Sequence, residues 1–432
     1  MTISHKIELI PNNKAKTYFK KAFGCARLAY NWGLDKWQEY YKQGIKKTHL
    51  DLKKEFNSIK KEEFPFVYEV SKYATQQPFL NLNKAFQTFF RDLKKGKVSY
   101  PKFKRKRDNQ GSFYLGGDVI KFIIKNNKSY LNIPNLGYVK LRENLRFKGK
   151  INSASISQKA NKFYVSFSVE ITENEFYKTH KAINTNNKQN SNNHPNNSIL
   201  GIDVGLKSFV SLSNGLNIKA PKPLNKLTRK LIRVSRKLSK KQHPKTKGDK
   251  TKKSNNYIKQ SLKLSKLHSK IKNTRNDFLQ KLTTLLVRNY DIFSLENLNV
   301  KGMMSNHRLA KSLSDVSFYE FKRMLAYKSE YYKRQIVEAS RFYPSSKLCS
   351  NCGSIKANLT LKDRIYKCEY CNISIDRDYN ASVNLANYAK EQIGLVQTEY
   401  TPADLTALLD DLNSNNLITS KVETGIQQKS YL

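Results

Sequence analysis

Four of the chain's five cysteines fall between residues 349 and 371, in the stretch CSNCGSIKANLTLKDRIYKCEYC. Cys349 and Cys352 form one CxxC pair, Cys368 and Cys371 form a second, and fifteen residues separate the pairs. Each CxxC turn lets two thiolates reach one tetrahedral ion, so the spacing predicts a closed, structural zinc site of the zinc-ribbon type. A redox pair or four buried thiols are the alternatives, but both pairs and the gap between them fit the zinc pattern.

The residues that follow each CxxC pair favour tight turns. Gly353 follows the first pair and Asn372 follows the second, and both residue types tolerate positive φ. Cys25 has no partner at metal-binding spacing, so we expect it to be a small buried residue.

The charge of the chain is strongly one-sided. Its 432 residues include 80 Lys or Arg against 34 Asp or Glu, a formal net charge of +46. Such an excess indicates an anionic partner, and nucleic acid fits better than a membrane surface, which is the second choice. The densest part is residues 224–272, with 18 basic residues and one acid, Asp249.

Neither a membrane span nor a signal peptide is predicted. No apolar run approaches the roughly 18 residues of a spanning helix. The N-terminus, MTISHKIELIPNN, lacks a signal-peptide core. We therefore expect a bacterial cytoplasmic protein, associated with the nucleoid when it is bound to DNA. A reducing cytosol favours metal binding by the cysteines over disulfides.

The first half of the chain changes from helical to strand-like periodicity. Residues 3–10 alternate like a strand, and residues 14–95 carry apolar residues at helical spacing. Residues 97–171 contain short strand-like runs, which predict a small barrel or a curled sheet. These runs are KVSYPKFKRKR, VIKFIIK, SYLNI, YVKL, INSASISQ and KFYVSFSVEI. The aromatic and aliphatic residues expected in the helix core are Phe19, Phe23, Leu28, Trp32, Trp37, Phe79, Leu82, Phe86, Phe89 and Phe90.

After the polar stretch at 183–198, which predicts a linker, the pattern becomes that of an α/β domain. SILGIDVGLKSFVSLSNG reads as a strand, a turn and a second strand, and two long basic helices follow around QHPKTKGDKTKKSNN. Residues 277–300 predict a helix and then a buried strand, and residues 318–340 predict one amphipathic helix. The basic bias ends near Leu395, so we expect a weakly structured tail.

Three acids lie where a catalytic cleft would form. Asp203 ends an apolar strand in LGIDVG, Glu296 ends the run YDIFSLEN, and Asp378 follows the cysteines in DRDYNASVNLA. Clefts form at strand ends in α/β folds. Carboxylates that meet there repel one another unless cations lie between them. Two magnesium ions held in this way can activate water and stabilise the leaving oxygen of a phosphodiester.

Each acid taken alone has a simpler explanation as a helix cap or half of an ion pair. Asp378 has the position of an N-cap for the helix NASVNLANYAKEQI. Asp376 is a rival for the third catalytic position. In the D-R-D triplet, one carboxylate can bind metal while Arg377 pairs with the other carboxylate or with phosphate.

The order Asp, Glu, cysteine pairs, Asp, with a basic helical segment interleaved, closely resembles the TnpB (OrfB) family of insertion-sequence proteins. GIDVGLKSFV, LENLNVKGMM, YPSSKLCSNCG and DRDYNASVNL resemble the signatures of that family. FGCARLAYNWGL, LNKAFQTFFRDLKKGK and YPKFKRKR resemble its N-terminal half. The resemblance covers residues 3–395, and members of the family are related to the compact type V CRISPR effectors.

The resemblance implies a multidomain α/β plus all-β fold. A ribonuclease H-like (RuvC) nuclease domain with an inserted zinc ribbon would accompany a β-barrel wedge domain with a helical recognition insert. The implied boundaries are a first wedge strand 1–13, a helical insert 14–95, a wedge barrel 96–182, a linker 183–198, a first nuclease part 199–343, a zinc ribbon 344–375, a second nuclease part 376–394 and a disordered tail 395–432.

Site residues are implied by motif. Asp203, Glu296 and Asp378 match the catalytic triad and would hold two magnesium ions, while the four cysteines would hold one structural zinc ion. The ribbon is expected between the second and third catalytic strands, as an excursion that is too small for its own core and is made rigid by zinc.

The implied function is that of a transposon's RNA-guided DNA endonuclease, which cuts beside a short adjacent motif. Its partners would be a guide RNA from the transposon end and double- and single-stranded target DNA, with the protein monomeric in the ribonucleoprotein and no membrane partner. Lys72 and Gln76, one helical turn apart, match positions that contact the adjacent motif, although a solvated helix face is an equal alternative. Arg377 is a candidate for holding the scissile backbone.

Three other functions fit parts of the pattern: a guided DNA-binding repressor without cutting, a transposase that joins DNA strands, and a zinc-ribbon protein that packages its own transcript. The presence of all three acids argues against the repressor, and the resemblance points away from strand joining. Metal-dependent cutting separates the first and third from a nuclease, and joined products would identify the second.

Overall fold

The computed structural model describes residues 1–106, 111–181, 198–246, 249, 251–360, 362–394 and 418–421. The chain divides into two compact units, Met1–Gln189 and Asn190–Leu432. The predicted linker 183–198 lies outside the described residues except for Ser198, and so does the predicted tail 395–432 except for one short strand. None of the helices in the described ranges is long and apolar enough to cross a membrane.

The first unit contains a seven-stranded antiparallel sheet whose first strand comes from the N-terminus. Its strands are β1 (Thr2–Ile10), β2 (Ser112–Gly116), β3 (Lys121–Lys125), β4 (Lys128–Ile133), β5 (Gly137–Leu141), β6 (Lys150–Lys159) and β7 (Lys162–Glu170), in the order β2-β6-β7-β1-β5-β4-β3. Helix α4 (Glu173–Lys181) follows. Alternate residues of β1 are buried, as expected for a strand with one face on a core.

The sheet curls, as the sequence predicts. Phe122 of the edge strand β3 contacts Phe167 of β7 with ring centroids 5.1 Å apart, although three strands separate β3 from β7 in the sheet order. The strand predicted from residues 97–107 is wrong for the part that the structure describes: residues 97–105 form no strand, and Pro101 and four basic residues there suit neither a ladder nor a buried face. Strand β2, in contrast, was not predicted.

A helical insert connects β1 to β2. It consists of α1 (Asn13–Lys42), α2 (His49–Ile59), a 3-10 turn (Pro65–Glu69) and α3 (Tyr73–Leu93). Buried Phe56 and Phe79 pack against each other with ring centroids 5.6 Å apart, in a cluster that includes Trp32. The helical prediction for this stretch is confirmed. Phe90 is an exception to the predicted core, since 51% of it is exposed.

The second unit is organised around a mixed six-stranded sheet. The strands are β8 (Ile199–Val204), β9 (Val210–Leu212), β10 (Leu216–Ile218), β11 (Ile292–Glu296), β12 (Gln335–Ala339) and β15 (Ile418–Lys421), in the order β12-β11-β8-β9-β10-β15. Strands β8, β11 and β12 are parallel, and the other pairs are antiparallel. A separate hairpin is formed by β13 (Ile365–Lys367) and β14 (Ser374–Asp376).

Helices cover both faces of this sheet. On one face, α6 (Asn255–Asn289), α8 (His307–Val316) and α9 (Phe318–Tyr332) contribute to a large apolar core with β8 and β11. On the other face, Ala386 and Ala389 of α10 (Arg377–Ile393) pack against Ile199 and Ile292. Two further helices of the unit are α5 (Pro223–Ser239) and the short α7 (Val300–Met304).

Two helix predictions need correction. Helix α6 continues through residues 273–276, where the sequence analysis separated two helices, because no Gly or Pro interrupts it. The predicted helix 318–340 ends instead at Tyr332: Lys333 adopts a left-handed conformation with φ of 55°, and β12 begins two residues later.

Helix α10 lies unusually close to β8, and a glycine allows this approach. A Cβ atom built on Gly201 would lie 1.9 Å from the backbone oxygen of Ser382 and 2.6 Å from the backbone nitrogen of Ala386. Backbone atoms cannot give way as a flexible side chain can. The absence of a side chain at residue 201 therefore sets the position of α10 on the sheet.

We predict that Gly201→Ala destabilises the protein by about 3 kcal/mol or more, because the added methyl group must push α10 off β8. Thermal unfolding measured by circular dichroism would show the loss. Gly24→Ala is the control, since a Cβ there meets nothing within 4 Å and α1 should gain slightly in helix propensity. Equal unfolding temperatures for Gly201→Ala and the parent chain would contradict this packing.

Candidate functional site

The three predicted acids are brought to one edge of the second unit's sheet. Leu295 of β11 pairs with Ile202 of β8, so Glu296 and Asp203 come next on these neighbouring parallel strands. Asp378 is in the first turn of α10, the helix that lies across β8. It is on a helix and not on a third catalytic strand, which corrects the expectation from the sequence.

The carboxylates interact electrostatically. Burial of Asp203, together with the negative charges of Glu296 and Asp378, raises the pKa of Asp203 well above its ordinary value. Arg377 lowers this pKa and so offsets the effect only in part. Three hard oxygen donors that repel one another in a half-buried cleft are suited to magnesium.

Glu296 is held from one side by a serine. Ser345 Oγ donates a hydrogen bond to Glu296 Oε1 at 2.5 Å, and Ser345 is only 3% exposed. The two residues are 49 positions apart in the chain, so no local sequence pattern links them.

The D-R-D triplet divides its roles between cap and ion pair. Asp376, not Asp378, caps α10: its Oδ1 accepts hydrogen bonds from the backbone N–H groups of Asp378 and Tyr379, both at 3.0 Å. Arg377 Nη2 donates to Asp378 Oδ1 at 3.1 Å, and Arg364 Nη1 lies 3.9 Å from Asp378 Oδ2. Asp378 therefore has guanidinium groups beside both of its oxygens, whereas Asp376 has Oδ1 engaged by the start of the helix.

Helix α10 also anchors the segment that leads into the cysteine pairs. Asn384 Nδ2 donates to the backbone oxygens of Ser345 and Leu348, at 2.8 and 2.7 Å. Asn380 Nδ2 donates to the same Leu348 oxygen at 2.7 Å, and Asn380 Oδ1 accepts from Ser350 N at 3.0 Å. Asn380 and Asn384 are fully buried, so these bonds are shielded from water.

The four predicted cysteines converge on one point. Their Sγ atoms all lie within 4.8 Å of one another, and they are the one group of potential metal ligands this compact in the described ranges. Cys349 and Cys371 have Sγ atoms 3.6 Å apart, and Cys352 and Cys368 have theirs 3.5 Å apart. Tetrahedral zinc with Zn–S bonds of 2.3 Å requires a separation of about 3.8 Å, so the cluster fits this ion.

The turns around the cluster have the predicted conformations. Gly353 has φ of +74° and Asn372 has φ of +58°, which explains why these residue types follow the two pairs. Tyr366 is fully buried beneath the thiols, and its hydroxyl donates to Lys347 O at 3.1 Å. Cys25, in contrast, is buried in α1, as expected.

Lys72 and Gln76 lie at the start of α3, where Lys72 is the residue that precedes the helix. Gln76 N donates to Lys72 O, so the two residues are one turn apart, as the sequence indicates. Lys72 Nζ is exposed and lies 3.8 Å from Asp118 Oδ2, a carboxylate that also accepts a hydrogen bond from the Tyr73 hydroxyl.

An open groove with a volume of about 520 Å³ runs along α5, within the basic segment 224–272. Its lining consists of the exposed residues Arg229, Ile232, Arg233, Arg236, Lys237 and Lys240. Buried Asp315 holds the beginning of α5, since its carboxylate accepts from the backbone N–H groups of Leu224 and Asn225 at 2.9 and 2.8 Å. Sequence reasoning missed Asp315, just as it missed Ser345, because both act on residues far away in the chain.

Three family models match the chain. The OrfB_IS605 model, described as "Probable transposase", matches residues 166–307, and the model described as "Cas12f1-like, TNB domain" matches residues 318–385. A model described as "Helix-turn-helix domain" matches residues 1–46, which here contain β1 and the continuous helix α1.

Relatives of similar length match almost the whole chain. A Streptomyces pristinaespiralis protein named "Putative RNA-guided DNA endonuclease" is 29% identical over 88% of this chain and 87% of its own length. The Escherichia coli (strain K12) protein named "Putative RNA-guided DNA endonuclease InsQ" is 26% identical over 88% of this chain and 90% of its own length.

The fold is also similar to solved structures. Cas12f1 in its complex with sgRNA and target DNA matches with a TM-score of 0.53 and 16% identity, over 88% of this chain and 84% of that one. The mini-RNA-guided endonuclease CRISPR-Cas phi3 matches with a TM-score of 0.51 and 11% identity, over 90% and 92%. Together with the order of acids and cysteines along the sequence, these family models and relatives show that the chain belongs to the TnpB (OrfB) family.

Proposed function

We propose that this protein is an RNA-guided DNA endonuclease of a transposon, which cuts DNA next to a short adjacent motif at Asp203, Glu296 and Asp378. The observation that carries the proposal is the convergence of these acids at one sheet edge, where burial and mutual repulsion raise the pKa of Asp203. The names of the Streptomyces and Escherichia coli relatives support the same activity.

The second unit supports a ribonuclease H-like (RuvC) nuclease domain in two parts, 199–343 and 376–394, separated by a zinc ribbon at 344–375. Its mixed sheet presents Asp203 and Glu296 from adjacent parallel strands, with helices on both faces. In the first unit, β1 joins a sheet with β5 and β7, which supports a wedge domain of residues 1–13 and 96–182 around the insert 14–95.

In this proposal Asp203, Glu296 and Asp378 supply carboxylate oxygens to two magnesium ions. When bound, magnesium provides charge stabilisation and a nucleophilic water for phosphodiester hydrolysis. Arg377 and Arg364 beside Asp378 provide positive charge where the scissile phosphate would lie. Asp376 serves as the cap that fixes the first turn of α10, so it is a weaker candidate for metal binding.

Zinc in the proposal is structural. Four thiolates form a closed site without an open position for substrate, and the ion replaces the apolar core that the short ribbon lacks. The ribbon begins beside Ser345 and ends at α10, so zinc would also keep both of these neighbours of the acids in place.

The basic surfaces are assigned to nucleic acid. The groove along α5 presents five cations, none of which forms an ion pair with another described residue, and it suits a phosphate backbone such as that of the guide RNA. Lys72 and Gln76 are proposed to contact the adjacent motif in the target duplex, with Gln suited to adenine and Lys to phosphate or guanine. Cutting would occur in the bacterial cytoplasm with the protein as a monomer.

We predict that Asp203→Ala abolishes magnesium-dependent cleavage of target DNA and leaves guide RNA and target binding unchanged. The loss should exceed about a thousandfold, because the acid acts directly on the metal ions. The assay uses the ribonucleoprotein co-purified with RNA from the native downstream DNA. Asp277→Asn, at an exposed acid on α6, is the control, and residual cutting by Asp203→Ala would refute the site assignment.

Without metal, Asp203→Asn should stabilise the protein at neutral pH. Asp203 has a higher pKa in the folded protein than the 3.8 that is ordinary for an aspartate. Its carboxyl group therefore makes the fold progressively less stable as the pH rises from 3.8 towards the pKa of the folded state. We therefore expect the unfolding temperature in EDTA to rise by about 2–4 °C near pH 7.5, with little change near pH 4. An unchanged or lower unfolding temperature at neutral pH would show that the acids do not repel one another.

The double variant Cys368→Ser, Cys371→Ser should lose the bound zinc, because two of the four thiolates are gone. Atomic absorption should fall from one zinc per chain to none, with a lower unfolding temperature and weaker cleavage. Cys25→Ser is the matched control and should keep its zinc, as Cys25 lies in α1 of the first unit and is not one of the four clustered thiols. Unchanged zinc content in the double variant would exclude the cysteine site.

A further inference from the structure

Ser345 is a buried hydroxyl with a single acidic partner. Its Oγ donates to Glu296 Oε1, and no other hydrogen bond to this carboxylate occurs in the described part of the chain. The second oxygen, Oε2, therefore accepts no hydrogen bond from the described residues and is available to another partner. A glutamate side chain can rotate about its last bond, so a donor on one oxygen determines where the other oxygen points.

The backbone of Ser345 is itself fixed. Its N–H donates to Tyr343 O at 2.9 Å, and its carbonyl oxygen accepts from Asn384 Nδ2 at 2.8 Å. Tyr343 is attached to the same helix, since its hydroxyl donates to Asn384 O at 3.1 Å. The serine hydroxyl thus has a rigid support that belongs to α10, the helix that carries Asp378.

We propose that Ser345 is a positioning residue, which holds Glu296 Oε1 so that Oε2 is oriented for a divalent cation shared with Asp203 and Asp378. The inference rests on the proposed function, because it assumes that these acids bind metal. A hydrogen bond from a neighbouring group both orients a ligating carboxylate and reduces the entropy it loses on binding, so its removal weakens metal affinity.

The test measures metal binding directly. The full-length chain, free of RNA and loaded with zinc, is titrated calorimetrically with Mn²⁺, and the signal of Asp203→Ala is subtracted. Ser345→Ala should weaken Mn²⁺ binding about tenfold, and Ser345→Thr, which keeps the hydroxyl donor, should restore it. In the ribonucleoprotein, the magnesium concentration for half-maximal cleavage should rise in Ser345→Ala, with a smaller effect on the rate at saturating magnesium.

Ser294→Ala is the matched control. Ser294 is buried on β11, two residues before Glu296, and its hydroxyl has no hydrogen-bond partner within the described ranges. Its removal should leave Mn²⁺ affinity unchanged. If Ser345→Ala does not fold, Ser345→Cys, which keeps the volume but has a weak donor, replaces it with the same expected loss.

The outcomes separate this inference from the proposed function. A parent chain that binds no more Mn²⁺ than Asp203→Ala overturns the cation site and the inference with it. A parent chain that binds Mn²⁺ while Ser345→Ala binds it equally well overturns the inference alone. An equal loss in Ser294→Ala, or no recovery in Ser345→Thr, also overturns it.

Discussion

The contact of α10 with β8 is the constraint on which the site depends. Gly201 allows the helix backbone to touch the strand, where any side chain would collide with Ser382 and Ala386. From that position the first turn of α10 brings Asp378 towards Asp203. Further along the helix, Asn380 and Asn384 hold the segment that carries Ser345 and ends at Cys349. One helix thus links the acids to the cysteine cluster.

The electrostatics of the chain follow two opposite rules. Over most of the protein, excess positive charge remains on exposed surfaces, such as the groove along α5, where solvent and salt reduce its self-repulsion. At the sheet edge, in contrast, negatively charged carboxylates are brought together and partly buried, which raises the pKa of Asp203. Such an arrangement costs folding free energy, and the proposed binding of divalent cations would offset that cost.

Local patterns in the sequence predicted the parts of the site that local chemistry determines. The spacing of the cysteines and the turn residues Gly353 and Asn372 led to the correct cluster geometry. Asp203 and Glu296 could be placed because each ends an apolar run that became a buried strand. Asp378 was expected on a strand, whereas Asp376 caps a helix there.

The remaining features depend on contacts between distant residues. The hydrogen bond from Ser345 to Glu296 and the capping of α5 by Asp315 join positions 49 and about 90 residues apart, so no window of sequence contains both partners. Strand β12 was hidden at the end of a helical pattern, and only two residues, the left-handed Lys333 and Arg334, separate the two elements. The sheet edge next to β11 then stabilises the strand.

Cleavage by the ribonucleoprotein with a reprogrammed guide is the most direct test of the proposed nuclease activity. The protein is expressed with its native downstream DNA, the bound RNA is sequenced, and the complex is challenged with plasmids that carry the new target beside randomised flanks. An RNA-guided endonuclease should give magnesium-dependent loss of plasmids with one flanking motif, and no loss in EDTA. Tight binding of RNA and target without any cutting in magnesium would contradict this activity, and would identify a guided DNA-binding protein.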